Sequence, residues 1–308
     1  MNGSVSFGKG FAYRKDWFYV TASINELAEA EIDHSLVFRR KDGGWEWWTV
    51  DNHIVAVWCF DGPRGRTVMA LSIDGAVEVS TGDEVVWEIV DDSDNGPSNL
   101  RHLTSMRIIG GHIYVAGMRR QVYRRAIDRG SWERADTGTF VPVDSSEIAG
   151  FKTIDGLHEG DIYAAGFYGE IWHWDGKIWV PLDSPTNVLL ASLKCVSNDL
   201  VFVGGNKGIV LKGNKDHWTI LENDATENTF SCIEYYQDTL YLATNQNALF
   251  KLDKNEIVPV DMGLEDNVST RWLHANDGIL LSVGSHDVVS FDGTTWTKIA
   301  PPQPNTAA

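Results

Sequence analysis

Cysteine is scarce. Three thiols, Cys59, Cys195 and Cys232, lie far apart, and no Cys-x-x-Cys pair occurs. That pattern excludes a disulfide framework and a zinc ribbon. Each cysteine sits in an apolar, strand-like run, as expected of a buried thiol in a reducing compartment. Long apolar runs are missing as well: none approaches the roughly 18 residues of a membrane-spanning helix. The opening MNGSVSFGKG has no charged segment followed by an apolar one, so no signal peptide is expected and the expected location is cytoplasmic. Basic residues are in the minority, 26 Lys and Arg against 43 Asp and Glu, for a net charge of -17. This disfavours nucleic acid and anionic membranes as partners, and speeds encounter with a basic protein. Helical periodicity is almost absent. The best candidate is 25–32, NELAEAEI, with Ser23 or Asn25 as its cap. No GxSxG, HExxH or P-loop motif occurs, and no motif calls for a cofactor or a metal.

Tryptophan and glycine are present in quantity, at 13 and 29 residues. Short β-branched and aromatic runs, bounded by Gly, Asn and Asp, follow one another along the chain. They fall into a repeat. VGGNKGIVLKGNKDHWTIL (203–221), VGSHDVVSFDGTTWTKI (283–299) and AGFYGEIWHWDGKIWVPL (165–182) share one pattern. A marker residue recurs at Trp47, Trp87, Trp132, Trp179, Trp218, Ile257 and Trp296, at spacings of 40, 45, 47, 39, 39 and 39. Seven units of about 40–45 residues, each with four strand patterns, are the signature of an all-β, seven-bladed β-propeller of four-stranded antiparallel blades. The expected blades are 8–51, 52–91, 92–136, 137–183, 184–222, 223–261 and 262–300 in a single domain, with a disordered tail over 301–308. With strands A to D counted from the axis outward, each marker is expected to fill the wedge between blades. The wedge at Ile257 should be less filled. Asp175-Gly176 and Asp292-Gly293 suit the C-to-D hairpin. Nothing marks a strand borrowed between the termini, so closure by packing of the first blade on the last is expected.

The repeat V-G-x-x-G-x-I-x-x-x-D-G-x-x-W resembles the bacterial WD40/YVTN/BNR-like propellers over nearly the whole chain. Its Asp-Gly-x-x-Trp is similar to the Asp-box of BNR repeats, one residue shorter between Asp and Trp. The resemblance implies a binding platform, a lectin or a sugar-processing enzyme, and the fold alone does not choose between them.

In such a ring the B-to-C and D-to-A loops share one face. The extra residues fall there, at 24–34, 91–100 and 136–150, which favours a partner site around blades one to four. The acidic candidates are Glu26, Glu29, Asp91, Asp92 and Asp94. The B-to-C turns add Arg119, Arg120, Tyr168, Asn206, Lys207 and His286. Residues 101–134 carry +6, with eight arginines against Asp128 and Glu133, leaving -23 for the rest. Such a basic blade either meets an anionic group or pairs with the acidic loops 83–94 and 144–147. His158, His274 and Trp272 are candidates to line the axial channel. These features point to a non-enzymatic, protein-binding propeller, with an immunity-type inhibitor of a basic toxin or effector as the sharper form. The alternatives are a carbohydrate or small-ligand binder using Tyr168, and a glycoside hydrolase or lactonase-like enzyme in the channel.

Overall fold

The computed structural model describes residues 4–100, 102–128, 130–215 and 217–300. The tail 301–308, with Arg101 and Arg129, lies outside the described residues. Seven four-stranded antiparallel sheets follow one another along the described chain, each built from four consecutive strands. The innermost strands are Val5–Arg14, Ile54–Gly62, Leu103–Ile109, Phe151–His158, Leu190–Ser197, Phe230–Tyr236 and Trp272–Asn276. The outermost are Gly44–Val50, Glu84–Ile89, Glu133–Arg134, Trp179–Leu182, Trp218–Ile220, Glu256–Pro259 and Trp296–Ile299. The helix expected over 25–32 is five residues, Asn25–Glu29, and neither Ser23 nor Asn25 caps it. Asn25 instead gives its amide to the Ser4 hydroxyl at 2.9 Å.

Two-residue alternation explains the core. Successive side chains of a strand point to opposite faces, so each sheet feeds two apolar clusters. Ile162 and Ala164 pack toward blade three, while Tyr163 and Ala165 pack toward blade five. The buried apolar residues form seven clusters, each shared by two neighbouring sheets. No sheet owns a core of its own.

The seam between blades one and seven is closed in the same way. Phe7, Ala12, Phe18 and Val20 meet Ile279, Leu281, Val283 and Val288 in one cluster. Hydrogen bonds run along it: Phe7 N to Ser285 O at 2.9 Å, Trp272 Nε1 to Gly10 O at 2.9 Å, Ala12 N to His274 Nδ1 at 3.1 Å, and Asn276 Nδ2 to Tyr13 O at 2.7 Å. Gly10 must be glycine here, because a Cβ would stand 2.6 Å from Val283 Cγ2.

The marker residues do not all behave alike. Trp179, Trp218, Ile257 and Trp296 are buried against the preceding blade. Ile257 sits in a cluster with Phe202 and Phe250. Trp47 and Trp87, however, are 45% and 51% exposed. In blade one Trp45 already holds the edge of Phe18 and Phe38. In blade two Trp87 lies opposite Glu78, whose carboxylate accepts from Trp48 Nε1 at 2.9 Å, so no apolar wedge is open to it. Trp132 is half-buried and donates to Glu88 at 3.0 Å. The tryptophans of blades one to three therefore tie neighbours through Trp48 and Trp132 N–H groups as much as through area. The Asp-Gly turns do what their chemistry suggests. Asp292 Oδ1 accepts from Thr294 N and Thr295 N, Gly293 takes φ 98°, and those backbone N–H groups hold the Asp292 carboxyl down to about 2.

Two substitutions separate these roles. Trp179→Ala should cost about 3–5 kcal/mol in urea unfolding, because it opens a cavity and frees Ala135 O, now bonded to its Nε1 at 2.7 Å. Trp87→Ala should change stability by less than about 0.5 kcal/mol.

Candidate functional site

In five sheets the B-to-C turn hydrogen-bonds the D-to-A segment that enters the same blade. The bonds are Ile73 N to His53 O, Met118 N to His102 O, Phe167 N to Gly150 O, Asn206 N to Leu189 O and Asn245 N to Thr229 O. Both loop sets therefore lie on one face, and every partner-contact candidate from the sequence falls on it. The segment 260–271 before blade seven is comparable in length to 90–102, so the long loops are not confined to blades one to four.

The basic blade is largely paired within the molecule. Arg119 Nη1 donates to Pro142 O at 2.7 Å and Ser145 O at 2.9 Å. Arg120 donates to Glu170 at 2.7 Å and Glu147 at 2.6 Å, and its side chain is mostly buried over the Trp172 ring. Glu170 also accepts from Gly150 N and Trp172 Nε1, each at 3.2 Å. Together the two arginines clamp the segment 142–150 against blade four. Arg124 pairs with Glu133 and Arg125 with Glu88. Arg134 bridges Asp91 and Asp136 at 3.1 and 2.7 Å. Of the described arginines in this basic stretch, Arg107 and Arg119 have no carboxylate partner, and Arg119 is spent on the two carbonyls.

The acidic candidates divide. Asp91 is half-buried; burial alone would raise its pKa, but bonds from Ser93, Tyr123 and Arg134 hold it below the usual range. Asp91 is thus a structural anchor of its loop. Asp92, Asp94, Glu26 and Glu29 are exposed, and Glu26 accepts only a long bond from Ser4 N. The segment 91–96 resembles a calcium loop in composition, but among the described residues no cluster of three or more His, Cys, Asp or Glu could hold a metal.

Tyr168 and Lys207 occupy equivalent turns with φ of 53° and 57°. In that region a residue with Cβ is strained by about 1–2 kcal/mol. Tyr168 is 65% exposed, so the turn presents a large ring to solvent at that cost. Asn206 accepts from Thr229 Oγ1 at 2.9 Å, and His286 is exposed with its N–H on Ser269 Oγ. Two residues escaped the sequence reasoning, Val143 and Ile148, at 52% and 60% exposed. They belong to the segment clamped by Arg119 and Arg120, beside the Tyr168 turn. Their signal was two apolar residues stranded in an otherwise polar connection, 142–150. Exposed apolar residues on a rigid, polar-rimmed surface are the make-up of a protein contact.

The three thiols are free and buried. Burial pushes Cys59 up to about 12 and Cys232 up to about 11, which leaves no thiolate for attack near neutral pH. His158 lies at an exposed A-to-B turn rather than in the channel. His274 accepts the Ala12 N–H, and burial pushes its pKa well below the usual imidazole range.

No family model matches this chain. The immune protein Tsi7 of Pseudomonas aeruginosa is 32% identical over 295 residues, covering 94% of this chain and 95% of that protein. Among solved structures, a catalytically inactive virginiamycin B lyase from Staphylococcus aureus with quinupristin superposes at TM-score 0.69. It is 10% identical, covering 92% of this chain and 94% of that one. The WD40 propeller of Doa1 superposes at 0.66, also 10% identical, covering 92% of each chain. YCF48 bound to D1 peptide superposes at 0.57, 15% identical, covering 80% and 82%. At such identities the solved structures show the fold alone.

Arg120→Ala should leave Glu170 half-buried without its cation and cost about 1–2 kcal/mol. Amide exchange at Ala149 and Gly150 should accelerate while exchange in blade six stays unchanged. Arg120→Lys should restore only part of the protection, because one ammonium cannot span both carboxylates as the fork does.

Proposed function

This chain belongs to the family of the immune protein Tsi7, and we propose that it acts as a cytoplasmic immunity protein, a non-catalytic propeller that captures a toxin on its loop-rich face. The observation that carries this reading is three exposed apolar side chains on the loop-rich face, Tyr168, Val143 and Ile148. Val143 and Ile148 lie on the segment that Arg119 and Arg120 hold in place, and Arg120 also bonds Glu170 beside the Tyr168 turn. A tight inhibitor needs such pre-organised anchors, because ordering mobile side chains at an interface uses up binding energy. Asp92, Asp94, Glu26 and Glu29 form an exposed acidic rim at one side of the same face. With a net charge of -17, that rim steers a basic toxin toward docking.

Anchors and rim act on different rate constants. Tyr168→Gly relieves the strained φ and should keep stability within about 1 kcal/mol of the parent. It should raise the toxin dissociation rate roughly tenfold or more. Asp92→Lys combined with Asp94→Lys should slow association about tenfold and flatten its salt dependence, with little change in dissociation. Both are measured by surface plasmon resonance against the toxin that the parent protein captures from extract, together with protection of cells expressing that toxin. Full protection and unchanged kinetics in both variants would place the interface elsewhere.

A further inference from the structure

The wall of the axial channel reverses the charge of the molecule. The chain has 43 acidic residues, yet among the described residues none lines the cavity of about 340 Å³ at the centre of the ring, whereas Lys9, Arg107, Lys152 and Arg271 do. A second cavity of about 310 Å³ shares Lys9 and Lys152 and adds His53 and His102, again with no carboxylate. None of the four Lys and Arg side chains makes an ion pair among the described residues. The Lys9 ammonium has only Thr104 O, at 3.2 Å, and the face of Trp272. Arg107 Nη1 bonds its neighbouring carbonyl, Met106 O.

The backbone puts these groups there. In six sheets the pairing of strand A with strand B slips near the start of strand A. Bulges of this kind turn a side chain out of the pleat, and they recur beside functional sites. The residues at the slips include Lys9 in blade one, Thr104 in blade three, Lys152 in blade four and Ser231 in blade six, all of them in the wall. Thr104 and Ser231 hydroxyls are spent on Phe151 O and Arg271 O of the next blades, at 2.7 and 2.9 Å, so the wall is braced while its cations are not.

We propose that the axial channel is a binding site for a small molecule carrying at least two anionic groups, phosphate or carboxylate. Its cavity volume lies at the lower end of the roughly 300–1,000 Å³ usual for small ligands, and four convergent cations match two or more negative charges. Burial first, then Arg107 and Lys152, bring the Lys9 amine down to about 7. The groups facing it are Arg107, Lys152, Arg271, His53 and Cys232, with no acid among them. An anion held among them would restore the proton to Lys9. This inference does not depend on the toxin reading, since it concerns the isolated protein.

Isothermal titration with pyrophosphate and with citrate, in buffers of different ionisation enthalpy and at matched ionic strength, tests it. Saturable binding of either probe, with proton uptake at pH 8, is expected; the stronger of the two assigns phosphate or carboxylate chemistry. Lys9→Met, which replaces a buried amine that has no ion-pair partner among the described residues and should fold, should weaken binding roughly tenfold or more and abolish the uptake. Lys152→Met should weaken it comparably, and Arg124→Gln, on the outer surface, should not. No saturable heat from either probe would overturn the proposal, as would equal binding by the parent and both channel variants.

Discussion

A four-stranded sheet that is apolar on both faces cannot exist alone in water, and every feature of this molecule follows from that constraint. Each blade completes its burial only against two neighbours, so the seven apolar clusters are interfaces rather than cores. The ring must therefore close, and closure concentrates the demand at one seam. There the chain ends supply packing and hydrogen bonds instead of a shared strand. Gly10 permits the approach of Val283 and Leu281, and Trp272, His274 and Asn276 bond the first inner strand. A side chain at position 10 would press on the single interface that no local sequence neighbour helps to form.

Closure in turn frees the rims. Because the clusters are built mostly from strands, most loops can lengthen and change sign at little cost to the ring; the segment before blade seven is an exception, with Val260, Met262, Leu264 and Val268 packed on a cluster. Freedom alone makes a poor binding surface, since a mobile loop must be ordered on contact. Blade three meets that difficulty with its arginines. They draw the flanking acidic connections down onto the ring, through Arg120 to Glu147 and Glu170 and through Arg134 to Asp91 and Asp136. The sign asymmetry along the chain is thus mainly an internal bracing, and the surface it braces carries Tyr168, Val143 and Ile148.

The repeat was legible because a strand's period and a turn's chemistry are local properties. Asp175, Gly176, Asp292 and Gly293 announce their hairpins, and Trp179, Trp218 and Trp296 their wedges. Trp47 and Trp87 carry the same spacing but a different environment, because Trp45 and Glu78 already occupy the positions beside them. Spacing says which strand a residue joins and not which face is still empty. The candidate face was legible as loop length, while the pairing of Arg119 and Arg120 was not, since their partners lie 23 to 50 residues away in sequence. Lys9 and Lys152 were hidden for another reason. A bulge breaks the two-residue alternation that sequence reasoning assumes, so a lysine inside an apolar run gives no sign that it faces the axis.

Charge is sorted along the axis as well as across the surface: unpaired cations collect in the cavity at the loop-face end of the inner strands, while other inner-strand positions hold Asp155 and the Lys194–Glu234 pair, and charges are screened least where water is scarce. The two proposed sites would use different populations of charge: the rim for a basic toxin, the channel for an anion. The channel mouth is framed by the starts of the inner strands and by His53, His102 and Met118 of the loop face, so both sites open in the same direction. A partner seated over the Tyr168 patch and an occupant at Lys9 and Lys152 would then share the blade-four inner strand, Phe151–His158, which the clamped segment enters directly. If either changes the affinity for the other, thermodynamic linkage requires the effect to be equal in both directions.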